Sequence, residues 1–379
     1  MEARSSSRAS PETLGLRALP EFAGMRALNP AAPRADALRA AARAFRRRFA
    51  DGGVVTAVRT IDVAETPYPA RLVASGVPAF VGAWVTLLAR MVIVQFDDFG
   101  GSRRTLVWEP ARADSLARLR PHGRSVPGQR MEIARPGRPR TLSSVQRGLA
   151  AAGLAPDQVD FVSCGDLRGH DLRSLLGTSR PTANEHAPRA PLLAGAWFLT
   201  RRAELEIARA PHPVLAPWYV EGGAIDVIED RLVALTDDVE LGRGVALVST
   251  PGLTSGHQSL LLNLSDGIWV MSGNGVASDC WQPLLSKLPG VRRAAERDGR
   301  ETVIAADAAE RALDLYDSMV LERSLADASR VDPRWLSILP TRELAAKRRQ
   351  WPVLPTFSHG AVTHGRIHAP ARAAVSPGS

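Results

Sequence analysis

Three apolar runs, VDFVS (159–163), GVALVST (244–250) and GIWVMSG (267–273), each give way at once to a loop crowded with polar residues and glycine. Short apolar runs bounded by turn residues read as buried strands. Buried strands that all end in polar loops need a sheet whose strand ends meet, and that sheet edge is where α/β folds place their sites. RMVIVQF (90–96) and RTLVWEP (104–110) flank DDFGGS and predict a hairpin. SSVQRGLAAA (143–152) predicts a Ser-capped helix ended by Gly153, and LLAGAWFL (192–199) a strand followed by a helix from Thr200 through Glu206. Asp307 and Glu310 have capping-box spacing before a long helix in which Ala312, Leu313, Tyr316 and Val320 share a face. Strands and helices interleave without strict βαβ alternation. The expected class is therefore α/β in the α+β sense, with two mixed sheets packed together and helices outside.

Composition narrows the partners. The chain of 379 residues carries a net charge of +9, but only Lys287 and Lys347 are lysines. Arginine is spread along the whole chain, which reads as compositional bias rather than a nucleic-acid patch. In the densest cluster, FRRRF (45–49), Leu38, Ala42, Phe45 and Phe49 make one helical face, while Arg39, Arg43, Arg46 and Arg47 lie largely off it. Two cysteines, Cys164 and Cys280, make no disulfide scaffold. The N-terminus lacks the apolar stretch of a signal peptide, and the longest apolar stretch, 77–96, is interrupted by Pro78, Gly82 and Arg90. A cytoplasmic protein without a membrane span is expected. Residues 1–30 and 369–379 read as flexible tails around one domain, 31–368.

The polar loops hold most of the chemistry. SCGDLRGHDLRSLLGT (163–178) packs Asp166, Arg168, His170 and Asp171 into six residues. Half-buried charges at such density need partners or a metal. STPGLTSGHQSL (249–260) has two glycines and His257, with the apolar Leu253 at its centre. MSGNGVASDCW (271–281) and TFSHGAVTHGRIH (356–368) bring Asn274, Asp279, His359, His364 and His368.

On these stretches the chain resembles the metallo-β-lactamase-fold hydrolase superfamily. AAGLAPDQVDFVSCGDLRGHD, STPGLTSGHQSLLL and GIWVMSGNG carry the likeness, which spans about residues 50–365. The resemblance implies an αββα sandwich and a metal-dependent hydrolase. It also implies losses. The family's first-zinc histidines fall on Asp166, Arg168 and Leu253, and neither a guanidinium nor an alkyl chain ligates zinc. The family's Asp-His pair of the second site appears in reversed order as His170 and Asp171. The bridging Asp falls on Asn274, with Asp279 the nearest acid, and the final His on His359, with His364 its rival.

The expectation is one divalent ion at most, zinc or another, held by His170, Asp171, Asp279 and His359 or His364. Asp166 would be general base and Arg168 the partner of the oxyanion. His257 is expected to stiffen its loop. The function implied is hydrolysis of a small ester-, lactone- or amide-type substrate. The alternative is a non-catalytic chain that binds a ligand or partner protein in the old cleft. A nucleic-acid role ranks third.

Overall fold

In a computed structural model of the protein, the described residues are 10–22, 24–28, 32–77, 84–119, 138–182, 185–306, 311–347 and 353–369. Two sheets form the centre. The first has six strands in the order β1 (Arg17–Ala18), β9 (Val239–Gly242), β10 (Val245–Ser249), β11 (Gln258–Leu264), β12 (Gly267–Ser272), β13 (Ile338–Pro340). It is antiparallel except for the β12–β13 pair. The second runs β15 (Thr363–His364), β2 (Ala57–Pro69), β3 (Trp84–Asp97), β4 (Arg103–Trp108), β6 (Phe161–Ser163), β7 (Trp197–Arg201), β8 (Leu232–Leu235). In addition, β5 (Arg140–Thr141) pairs with β2, and β14 (Arg342–Leu344) with β3. Here β4, β6, β7 and β8 run parallel.

Three apolar clusters define four layers. Val92, Val94, Phe96, Leu106 and Trp108 of the second sheet meet Val245, Leu247, Leu260, Leu262 and Met271 of the first. On the outer face of the first sheet, Ala246, Val248, Leu261 and Val270 cluster with residues of α1 (Ala32–Asp51) and α8 (Ala312–Leu325). On the outer face of the second, Met91, Ile93, Val107 and Val162 cluster with residues of α3 (Val145–Ala151) and α5 (Arg202–Arg209). The helices α2 (Ala113–Leu116), α4 (Leu172–Leu176), α6 (Ser278–Trp281) and α7 (Val291–Asp298) fill the connections. This is the αββα order, two mixed sheets between helices.

The local reasons are those of the sequence. The alternation of apolar residues in β10 and β11 serves two cores at once, so both strands are buried on both faces. In α1, Leu38, Ala42, Phe45 and Phe49 are buried, with Phe45 stacked on Phe49 at 4.8 Å. Ser144 caps α3 by accepting from the Arg147 N–H at 3.1 Å. The strand expected at 192–199 is displaced to 197–201 and its helix begins at Arg202, because Gly195 sits in a turn before β7. In α8 the inward face is Leu315, Met319 and Glu322, and Leu313 is exposed; the candidate cap at Asp307 and Glu310 lies outside the described residues. Residues 17–22, expected within a tail, add β1 to the first sheet and bury Phe22 against Phe45.

Two chain paths set up the strand ends. Between β13 and β14 the backbone leaves the first sheet and joins the second, turning at Thr341. The loop between β10 and β11 is drawn shut by the Thr250 N–H donating to the His257 carbonyl, and the Gln258 N–H reaches across to Gly165. Gly256 lies flat on the start of α5, where a Cβ would fall inside the contact distance of the Glu204 backbone. Gly256→Ala is expected to destabilise the fold by about 1–3 kcal/mol through overpacking, read as a lower urea midpoint with unchanged slope.

Candidate functional site

The site is built where β4, β6, β10 and β12 end. Glu109 directly follows β4 and takes a φ of 53°, a conformation that strains a non-glycine residue. Its carboxylate is spent in two directions. Oε1 accepts the Gly165 N–H at 2.7 Å, and Oε2 lies 3.0 Å from His170 Nε2. Nδ1 of the same imidazole lies 3.7 Å from the sulfur of Cys164, and one ligand atom from each of the three residues lies within 4.8 Å of the other two. Cys164 directly follows β6, the strand paired in parallel with β4. A carboxylate only accepts, so Nε2 carries the proton and Nδ1 is left to accept from the thiol. All three residues are buried. Burial, then the nearby Glu109 and Asp166 charges, push the Cys164 thiol well above its ordinary range.

Next to this trio lies an arginine-bound carboxylate. Asp166 Oδ2 meets Arg168 Nε at 3.3 Å, its Oδ1 accepts the Arg168 N–H at 2.9 Å, and Arg342 Nη2 stands 4.0 Å away. Burial opposes ionisation of Asp166, but Arg168 and then Arg342 hold it at about 2. Arg342 also donates to the Arg168 carbonyl at 2.6 Å. The Arg168 guanidinium stands 5.7 Å from the centre of the Trp218 ring.

A third group closes the cluster from α5. Glu204 Oε1 accepts from the Leu167 N–H and from the Tyr219 hydroxyl, both at 2.8 Å, and Oε2 accepts from Thr254 Oγ1 at 2.5 Å. Burial first, and then the Asp166 charge, raise Glu204 to about 7 against those hydrogen bonds. Tyr219 is itself pushed up by burial and by Glu204. His257 fills its expected place in the loop. Its Nδ1 donates to the Thr250 carbonyl at 2.9 Å and its Nε2 accepts the Gly273 N–H at 3.3 Å, so the imidazole is neutral and fixed. Burial, opposed by Asp166, lowers its pKa.

The expected metal ligands do not come together. No three of His170, Asp171, Asp279, His359 and His364 have ligand atoms within 4.8 Å of one another; among the described residues that criterion is met by Glu109, Cys164 and His170. Asp171 turns away from His170. It caps α4 and is wrapped by Arg118 at 2.8 Å, Arg173 at 2.8 Å and Arg189 at 3.5 Å. Burial opposes its ionisation, but Arg173 and Arg118 lower its pKa. Asp279 accepts from Ser286 and from Thr356, which fastens the 353–369 segment to α6. His359 lies between Trp269 and Phe357, at 4.6 and 4.8 Å, and Nε2 bonds the Leu336 carbonyl at 3.0 Å. His364 is in edge strand β15, opposite Val58. Asn274 donates to the Thr250 carbonyl and to Glu322 at 3.1 and 2.7 Å. Leu253 is buried in the cluster with Leu315 and Val276.

The sequence grouped Asp166, Arg168 and His170 in one loop and offered Trp218 and Tyr219, in APHPVLAPWYVE, as aromatics of a covering insertion; it did not point to Glu109, Glu204 or Arg342. The signal for two of them was present. Glu109 and Arg342 each follow an apolar strand in the same way as the 163–171 loop, in LVWEP and ILPTRE. Glu204 lies in a helix whose approach to the loop no local pattern encodes.

The donor types Glu, Cys and His suit a soft divalent ion. One donor atom from each of Glu109, Cys164 and His170 lies within 4.8 Å of the other two, close enough to face a single ion. The dinuclear pattern does not fit, with Arg168 and Leu253 in its first sphere.

No family model matches the chain, and no curated protein matches it. Solved structures do. An N-acyl homoserine lactone hydrolase with N-hexanoyl-L-homoserine bound at its catalytic metal centre is 13% identical over 65% of this chain and 88% of its own, with a TM-score of 0.43. The hydrolase AbOPH, of the β-lactamase superfamily, is 14% identical over 83% and 98%, with a TM-score of 0.44. The dizinc quorum-quenching lactonase AidC is 10% identical over 83% and 96%, with a TM-score of 0.44. Likeness at this level concerns the chain path and leaves the site to be read from its own side chains. No helix of the described residues is long and apolar enough to cross a membrane.

Glu204 gives the cluster a pH signature. Its carboxyl is raised from 4.5 to about 7, so the folded chain binds the extra proton in that window. The stabilisation is complete below 4.5 and is lost as pH rises through about 7. Glu204→Gln should flatten that part of the stability–pH profile in thermal melts, while the wild type loses stability across it.

Proposed function

We propose that this chain is a hydrolase of metallo-β-lactamase-like fold acting on a small ester-, lactone- or amide-type carbonyl compound, with its chemistry at Glu109, Cys164, Arg168 and His170. The observation that carries the reading is His170, locked by a strained carboxylate in the same buried strand-end loop as Arg168. An imidazole whose far nitrogen is fixed by a carboxylate is a general base of defined tautomer. Arg168 supplies positive charge for the developing oxyanion in a water-poor setting.

Asp166, expected as the general base, suits that role poorly. A carboxyl held at about 2 has little affinity for a proton at neutral pH. Its work is to aim Arg168 and offset its charge. Asp171 is a helix cap by its contacts. The segment 210–227 covers the loop, through the Gly169 N–H on the Trp218 carbonyl and Tyr219 on Glu204. Substrate entry requires this segment to lift. A hollow of about 620 Å³, lined by Arg112, Arg118, Gln146, Ser174 and Arg189, lies on the Asp171 side of the loop. Glu109, Cys164 and His170 would hold one divalent ion, which would polarise the substrate carbonyl as a Lewis acid.

The test is a panel of p-nitrophenyl esters and lactones of increasing acyl length. The wild type should turn over at least one. His170→Gln should lower kcat/KM by about 10²-fold or more, and Arg168→Met should lower kcat more than it raises KM. Absence of turnover across the panel, or full activity in His170→Gln, would sink the hydrolase reading and favour ligand binding without catalysis.

A further inference from the structure

We propose that a hollow between the C-terminal segment and the end of α3 binds a phosphate-bearing small molecule, held by Arg59, Arg366 and His368. This site is separate from the one at the strand ends. Gln95, which anchors it, pairs with Thr105 near the start of β4, whereas Glu109 follows the other end of that strand.

The hollow has a volume of about 390 Å³, which falls in the range of small-ligand sites. It is lined by Arg59, Arg366 and His368 together with Ala151, Gly153 and Ile367. Among the described residues no acidic side chain lines it, and neither Arg59 nor Arg366 has an ion-pair partner. The hollow on the Asp171 side supplies the contrast. There Arg112 is taken by Asp114, Arg118 by Asp171 and Arg189 by Glu185. Two guanidinium groups without a carboxylate, on one concavity, leave their forked donors for an anion from outside. The end of α3 opposes this only weakly. The helix is seven residues long, and the Gly148, Leu149 and Ala150 carbonyls of its last turn already accept from the N–H groups of residues 152–154.

The wall that carries two of the three donors is fixed by its backbone. Beyond β15 the chain turns at Gly365, with a φ of 55°, and a Cβ there would stand 2.0 Å from the Thr56 carbonyl oxygen. Only glycine fits that turn. Three residues on, the buried Gln95 grips the His368 backbone at both polar groups. Its Nε2 donates to the carbonyl at 2.7 Å, and its Oε1 accepts the N–H at 2.8 Å. Arg59 stands on β2, opposite Thr363 of β15. Little backbone ordering therefore remains to oppose binding. A phosphate monoester matches this set. It carries about −1.5 to −2 at neutral pH, against two guanidinium groups, and has a third oxygen for the imidazole. The rest of the molecule would lie on the apolar wall at Ile367. The cations line a single hollow rather than a stripe, which favours a small molecule over a nucleic-acid backbone.

The full-length chain is titrated by calorimetry with inorganic phosphate and with AMP, in chloride buffer of matched ionic strength, and melted over the same series. Saturable one-to-one binding and a rising melting temperature are expected. Arg59→Gln and Arg366→Gln should each weaken binding at least about tenfold. Arg47→Gln, on the exposed face of α1, should leave it unchanged. Ala151→Glu puts a carboxylate into the hollow without touching an arginine and should abolish binding. Melting of each variant without ligand shows that it is folded; the two arginines are exposed, so their variants decide the matter if Ala151→Glu is not. Heat that does not saturate, or binding that is unchanged in both arginine variants, overturns the inference. An RNA or DNA oligonucleotide that binds through the same arginines, where phosphate and AMP do not, also overturns it by making the hollow part of a nucleic-acid surface.

Discussion

Charge buried at a strand end has to be neutralised where it stands, and the loop 163–171 is shaped by that requirement. Asp166 is answered by Arg168 and Arg342, Asp171 by Arg118, Arg173 and Arg189, and His170 by Glu109. An unpaired ion in such surroundings would cost several kcal/mol. The neighbouring elements are positioned to prevent it. Strand β14 brings Arg342, the end of β4 brings Glu109, and α2 leads into Arg118. At Asp166 and Asp171 the fold therefore does with guanidinium groups what a bound cation would do.

Much of the architecture could be read from the sequence because it is encoded locally. The hairpin around DDFGGS, the Ser-capped helix after residue 143, the apolar face of α1 and the loop-stiffening His257 all follow from periodicity or turn chemistry within a short window. The site was legible only in part. The density of charge in 163–171 marks that loop, but no local pattern says which way each side chain turns. His170 and Asp171 are adjacent and point to different partners, one inward and one into α4. Glu109 joins His170 from 61 residues away, a distance that only the sheet order explains. Asp279 and His359 looked like ligands because acids and histidines in loops can ligate, yet each is consumed by a structural contact on the C-terminal segment.

Leu253 joins the same account. In a loop with TPG and a second glycine it reads as a substitution in a coordination sphere. In the fold it is a core residue between the loop and α8, and the glycines around it permit close approach to α5, Asn274 and Leu315. Apolar packing has taken over a position that the resemblance assigns to an imidazole. The loop geometry survives because Thr250, His257 and Gln258 hold it by hydrogen bonds to both neighbouring loops.

The crossing at Thr341 has a mechanical consequence. Residues on its two sides belong to different sheets, β13 to the first and β14 to the second, while the side chain of Arg342 reaches the backbone of Arg168. A slide of one sheet over the other cannot occur without straining this short link. Close-packed layers transmit such displacement rather than absorb it. Arg342 thus works as a gauge of how the two sheets sit, and the electric field at Asp166 becomes a reading of the sandwich as a whole.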